Sequence, residues 1–351
     1  MSETNIVLSR CLGEGAYGRV FHSNMNYKEV AVKVIIRDME CVKTGVAAEE
    51  GDYLRGVVPI EHKSMDNERK KNSKVHDRYF NEADVHLWLM HGKTSENSPG
   101  IVTLLGCVVG QPVNRLVIEY LPHTLGGVLN TISSFSASTR VGYVCQLLAA
   151  LEWCHNKSLA HTDLSFNNVL VSDDYKRLVI IDFGSVLTKY EMVHDKHAWH
   201  QVSTPTVRAP EVWLGGKITF LIDLWAVGCA YIAMTTGFKG FNSDANKGKY
   251  DCTTAAAIIQ MLGTPPYTYS VPNEVTKNIE YVYDNTTLVG TCYELPSLSI
   301  HQRFPQFDVL EIELLECMVA YLEKRACMAQ AQEIAVNCLV AMANAPSCRF
   351  L

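Results

Sequence analysis

The dominant hydrophobic pattern of this chain shifts near residue 121, and that shift restricts the possible folds more than any single motif. Before it, short β-branched runs alternate around a glycine-rich turn, as in EVAVKVI at 29–35; such alternation marks half-buried strands. Helical spacing follows in VHDRYFNEADVHLWLMH, with Tyr79, Ala83, Leu87 and Met90 near one face, and then two more strand-like runs, IVTLLGCVV and RLVIEYL. After Leu121, Gly126 and Gly127 lead into long helical patterns over 137–156, 220–234, 251–262, 307–322 and 328–343. Strands first and helices later predict an α+β chain of two segregated lobes. The expected lobes are a small antiparallel β-sheet lobe with one main helix over 1–119 and a larger, mostly helical lobe over 120–351, joined near Glu119 to Pro122. Between Asp38 and Lys74 the pattern decays into polar sequence with the charged run Glu68, Arg69, Lys70 and Lys71. The stretch 38–75 therefore reads as a flexible surface insertion, a tolerated loop rather than a tether for a partner.

Length and charge exclude some functions. With 351 residues, 48% hydrophobic and 19% charged, the chain has enough apolar sequence for a sizeable core. A net charge of -6 offers no broad basic field, so nucleic acid is not an expected partner. The twelve cysteines lack C-x-x-C spacing and read as reduced core thiols. The N-terminal residues carry no apolar leader, and the longest apolar run, 224–234, is too short to span a bilayer. A soluble, intracellular protein in cytoplasm or nucleus, with no membrane partner, is expected.

Several constellations carry chemistry. Gly13, Gly15 and Gly18 in LGEGAYGRV have G-x-G-x-x-G spacing, which lets backbone amides approach phosphate oxygens. A dinucleotide fold would place a helix directly after them, but alternating RVFHS and EVAVKVI follow instead. Lys33 falls in that second strand, beneath the glycine turn, as a phosphate-holding ammonium or an ordinary strand lysine. Glu82 is its candidate ion-pair partner, or a solvent-facing helix carboxylate. Asp163 in HTDLSFNNVLV precedes Asn168 by five positions, and Asp182 stands in VIIDFGS after an apolar run. Asn168 and Asp182 are oxygen ligands suited to a hard cation such as magnesium, which leaves Asp163 as a base; each is also a residue type common in turns. Glu211, in a mostly apolar segment, needs a cation, and Arg325 is the candidate.

In order, the glycine loop, AVK, helix glutamate, H-x-D-L-x-x-x-N, DFG and APE resemble the eukaryotic protein-kinase superfamily, over most of the chain from Leu12 to Arg325. HTDL, IDFGS, VSTPTVRAPEV and IIQMLGTPP are similar to its cyclin-dependent, dual-specificity and LAMMER-type branch, although the LAMMER motif is missing from YDCTTAAAIIQML. The compact chain and relaxed catalytic loop are also similar to kinases encoded by large DNA viruses. The resemblance implies a bilobal kinase fold and a serine/threonine protein kinase that acts as a monomer on protein substrates, with ATP and magnesium. It implies that Leu12, Gly13, Glu14, Gly15, Ala16, Tyr17, Gly18, Arg19 and Val20 cover ATP, that Lys33 holds its α and β phosphates, and that Glu82 positions Lys33. Glu119 to Leu121 would bind adenine through backbone groups, with Ile118 at the back of the pocket. Asp163 would be the catalytic base, Asn168 and Asp182 the magnesium ligands, and Thr204 the residue matching the serine/threonine pattern.

Three departures from that pattern stand out. Ser165 occupies the place of the lysine that contacts the γ-phosphate, a loss worth roughly ten- to a hundred-fold in rate. Thr162 replaces the arginine that in many kinases binds a phosphorylated activation segment, so activity is expected not to depend on phosphorylation there, even with Thr188, Tyr190 and Ser203 available. Forty-eight residues separate Lys33 from Glu82, more than the family usually needs. The competing readings are a nucleotide-binding pseudokinase scaffold, favoured by Ser165, and a small-molecule kinase, disfavoured by the APE segment and Thr204.

Overall fold

The structure is a computed structural model that describes residues 4–15, 18–36, 53–59, 82–90, 100–108, 113–132, 135–194, 202–213, 216–237, 258, 261–262 and 300–344. Among these the chain divides into two compact units, one of Met1–Pro122 with Asp182–Gly184 and one of His123–Ile181 with Ser185–Leu351.

The first unit contains β1 (Thr4–Val7), β2 (Cys11–Gly15), β3 (Gly18–Met25), β4 (Lys28–Ile36), β5 (Tyr53–Pro59), helix α1 (Glu82–Met90), β6 (Leu104–Val108) and β7 (Val113–Glu119). Its strands form one antiparallel sheet in the order β1-β5-β6-β7-β4-β3-β2. The two end strands are consecutive in the chain, and the residues joining them also pair with β3, through Ser9 N–H to His22 O at 2.9 Å and His22 N–H to Arg10 O at 2.8 Å. The sheet therefore curls back on itself around Ile6, Leu8, Phe21, Val30, Val32, Val34 and Val117. Strand alternation puts Val30, Val32 and Val34 into that core and turns Ala31 and Lys33 to the opposite face.

Two sequence expectations need correction here. Tyr53–Pro59 is a strand paired with β1 and β6, so this part of 38–75 belongs to the sheet. Its alternation is broken by Gly56 and ends on Pro59, which hid it among polar neighbours; the rest of that stretch lies outside the described residues. The buried positions of α1 are Glu82, Val85, His86, Leu89 and Met90, while Leu87 is only half-buried. The helix turns a carboxylate and an imidazole inward beside Val85 and Leu89.

The second unit contains β8 (His123–Thr124), α2 (Leu125–Thr131), α3 (Ala137–Asn156), β9 (Leu159–Ala160), β10 (Val169–Val171), β11 (Leu178–Ile180), β12 (Leu187–Thr188), α4 (Lys189–His194), α5 (Pro210–Trp213), α6 (Leu221–Thr236), α7 (Ile300–Arg303), α8 (Val309–Met318) and α9 (Met328–Asn344). Helix α3 starts where the Ser136 hydroxyl accepts from Thr139 N–H, and Val141, Val144, Leu147, Leu148 and Leu151 form its buried stripe. Helix α6 is buried on nearly all sides and ends at Gly237, whose φ of 71° suits a residue without a Cβ. Asp308 and Glu311 make a reciprocal capping box at α8, and Glu311 also accepts from Arg140 at 2.7 Å and from the Tyr231 hydroxyl at 2.8 Å. The expected helix over 251–262 lies largely outside the described residues.

Glu211 and Arg325 meet as a fully buried bidentate pair, at 2.6 and 2.9 Å. Arg325 also donates to the carbonyls of Leu221 and Ala320, both at 2.8 Å, and lies over the Trp225 ring. Every polar edge is thus satisfied, which a buried charge requires. Arg325→Met should leave Glu211 charged and unpaired and lower unfolding stability by about 3–5 kcal/mol, read as the midpoint shift in urea denaturation.

Candidate active site

In the first unit the site begins at the β2–β3 hairpin. Gly18 has φ of +149°, and a Cβ there would lie 1.9 Å from the Val34 carbonyl oxygen, so strand pairing with β4 excludes any side chain. Glu14 and Arg19 face each other across the hairpin at 3.3 Å, on its exposed side. Leu12 is exposed and Gly13 has open space at its Cβ position. Ala16 and Tyr17 lie outside the described residues, and nothing of Gly15 beyond its backbone is described.

Val20 is the register partner of Lys33, and Ala31 that of Ile118. Antiparallel partners share a face, so these four residues occupy one side of the sheet. The Lys33 ammonium there, 9% exposed, reaches Glu82 Oε1 at 2.9 Å, Glu82 Oε2 at 2.8 Å and Asp182 Oδ1 at 2.7 Å. Burial by itself would lower the Lys33 pKa, but the Glu82 and Asp182 carboxylates outweigh it and hold the group above its ordinary value. Burial raises the pKa of Glu82 against the pull of Lys33, with Asp182 adding to the rise. Gly184 lets this cluster close up, since a Cβ would stand 3.3 Å from Asp182 Oδ1 and 3.5 Å from Glu82 Oε2. One helical turn beyond Glu82, His86 meets the buried Phe183 ring edge-on, with centroids 4.9 Å apart. No sequence pattern points to this contact, because a lone histidine among apolar residues carries none.

The same unit ends in the 119–122 connection. Glu119 donates its N–H to Thr103 O at 2.9 Å and accepts Thr103 N–H on its carboxylate at 2.7 Å. Ile118 and Leu121 are buried beside it.

In the second unit, Asp163 accepts from the Thr204 hydroxyl at 2.5 Å on Oδ1. Asn168 donates its side-chain N–H to Asp163 O at 2.8 Å and makes a longer contact of 3.4 Å to Oδ2. Ser165 closes the turn through backbone groups alone, with its N–H on Asp163 O and its carbonyl receiving Asn168 N–H. His161 is buried; its Nε2 donates to Ile181 O at 2.9 Å, so Nδ1 is the acceptor for Asp163 N–H at 3.3 Å. Asp223, in the first turn of α6 and 1% exposed, receives His161 N–H and Thr162 N–H, each at 2.8 Å, and contacts His155 Nε2 at 2.9 Å. This aspartate was not among the candidate residues; an acidic residue in an otherwise apolar helical run was the available signal.

Arg208 was missed in the same way. Its guanidinium is buried, donates to Val202 O at 2.8 Å and Ser203 O at 2.7 Å, and stacks 4.6 Å over Trp213. Burial pushes its pKa down to about 10, with Asp163 acting in the opposite sense.

A profile described as Protein kinase domain matches residues 58–295, more than half of the chain, and the chain belongs to that family. The match begins after the glycine hairpin and Lys33. The chain is 33% identical over 169 residues to Cell division control protein 2 homolog 3 of Trypanosoma brucei brucei, covering 48% of this chain and 52% of that protein. It is 31% identical over 212 residues to Cyclin-dependent kinase 20 of Danio rerio, covering 60% of this chain and 57% of that protein. With Mitogen-activated protein kinase kinase kinase 2 of Arabidopsis thaliana it shares 34% over 140 residues, 40% of this chain and 21% of that protein. The chain thus spans about half the length of the first two relatives. Among the described residues no helix is long and apolar enough to cross a membrane.

Gly18→Ala should force β3 away from β4 at Val34 and lower stability by about 1–3 kcal/mol. The thermal melting midpoint, compared with that of the open position Gly13→Ala, tests this; equal midpoints would contradict it.

Proposed function

We propose that this chain is a serine/threonine protein kinase that transfers the γ-phosphoryl group of ATP to a Ser or Thr hydroxyl of a protein. The observation that carries the reading is the Lys33 ammonium held by Glu82 at 2.8 Å and Asp182 at 2.7 Å. A lysine fixed and charged in this way suits nucleotide phosphates. Asp163, oriented by Thr204 and Asn168, accepts the proton of the substrate hydroxyl as its oxygen bonds to the γ-phosphorus and the bond to the ADP oxygen breaks. The rest of the catalysis is positioning and charge stabilisation. Residues 12–20 cover the nucleotide, and the backbone of Glu119 and Leu121 receives adenine. Members of the family use magnesium, and the donor set suits it: a carboxylate on Asp182 and, with the Asn168 amide nitrogen turned to Asp163, an amide oxygen, both hard ligands. When bound, magnesium neutralises phosphate charge.

The second reading, a pseudokinase scaffold, is favoured by Ser165. Transfer of labelled γ-phosphate to a basic protein substrate separates the two. Asp163→Asn should lower the rate at least about a hundred-fold, whereas equal rates for the two proteins would defeat the enzyme reading. Ser165→Lys should raise kcat by about ten-fold or more by supplying a charged contact to the γ-phosphate; an unchanged kcat would show that this cation is not what limits transfer.

A further inference from the structure

The residue before Asp163 has an unusual conformation. Thr162 is β-branched yet has φ of +65°, in the left-handed region that such residues avoid. It is 3% exposed, its N–H is held by Asp223 at 2.8 Å, and its hydroxyl donates to the Ser185 carbonyl at 2.6 Å. Ser185 is three positions after Asp182 in the chain. A strained backbone at a threonine persists when surrounding bonds over-determine it, and here one bond holds the main chain and the other uses the side chain.

The segment after Ser185 is held by further hydrogen bonds within this unit. Strand β12 pairs with β9, Lys189 N–H bonds Ser158 O at 3.0 Å, and Thr188 and Glu191 exchange hydrogen bonds at 2.7 and 3.2 Å around the start of α4. Arg208, a buried cation whose pKa Asp163 raises against the effect of burial, is engaged by the Val202 and Ser203 carbonyls and the Trp213 ring. We propose that the Thr162 hydroxyl is a positioning group whose bond to the Ser185 carbonyl ties the loop bearing Asp163 to the segment after Gly184, so that this segment is set without a phosphate. The inference rests on the proposed phosphoryl transfer for its effect on rate, but not for the contact itself.

Thr162→Gly separates the hydroxyl from the strain, because glycine relieves the left-handed backbone while removing the donor; Thr162→Ser keeps the donor. The measurements are amide hydrogen exchange over residues 185–189, kcat and KM for ATP, and the rate before and after phosphatase treatment. In Thr162→Gly, exchange over 185–189 should be about three-fold faster and kcat about three- to ten-fold lower, with KM nearly unchanged, as loss of one hydrogen bond implies. Thr162→Ser should recover most of both effects, and phosphatase-treated wild-type protein should keep its kcat within about two-fold. Wild-type exchange in Thr162→Gly, or a glycine variant as fast as wild type, would overturn the positioning role. A fall of more than about ten-fold after phosphatase would overturn phosphate independence. If wild-type protein and Asp163→Asn both transfer nothing, the kinase reading fails by itself, and the exchange measurement alone still decides whether the Thr162 bond orders the segment.

Discussion

One buried carboxylate holds the loop that carries Asp163. Asp223 receives the successive N–H groups of His161 and Thr162 and also contacts His155. Directly after these two donors the left-handed φ of Thr162 turns the chain toward Asp163. With that turn made, the His161 ring bonds back to Ile181 O and the Asp163 side chain lies within reach of Thr204 and Asn168. Removal of Asp223 would leave two buried N–H groups without their acceptor, a cost of several kcal/mol by the usual reckoning for lost buried hydrogen bonds.

Charge satisfaction organises the rest. Lys33 is buried because two carboxylates compensate its desolvation, while Lys33 offsets part of the desolvation of Glu82, whose pKa stays raised. Glu211 with Arg325 and Glu311 with Arg140 repeat the rule in the second unit, each pair bidentate or multiply bonded. Buried pairs of this kind add little net stability compared with apolar packing, yet they strongly penalise any arrangement that separates them. They therefore select one register of helix against strand, as α1 illustrates: its inward face carries Glu82 and His86.

Much of this was readable from residue order. The strand at Lys33, the long helices α3, α6 and α9, and the ordered motifs around Asp163, Asn168 and Asp182 follow from local periodicity and residue type, which need no knowledge of distant contacts. The Glu211 need for a cation was also legible, since an acid in an apolar segment must be paired. Strand β5 was not, because a glycine and a proline interrupt its alternation and only pairing with β1 and β6 makes it a strand. Nor were Asp223, Arg208 and His86, whose partners lie on other elements or, for Arg208, are backbone carbonyls that leave no trace in composition.

By itself the sequence determined the class of architecture and the candidate residues for the proposed phosphoryl transfer, because hydrophobic period and short motifs are local properties of the chain. The tertiary structure decided which face of α1 turns inward, how the sheet closes through β5, and which groups hold Asp163 and Thr162. Those choices depend on burying charges and N–H groups only where a partner from a distant part of the chain arrives, and such pairing is settled in space and not along the sequence.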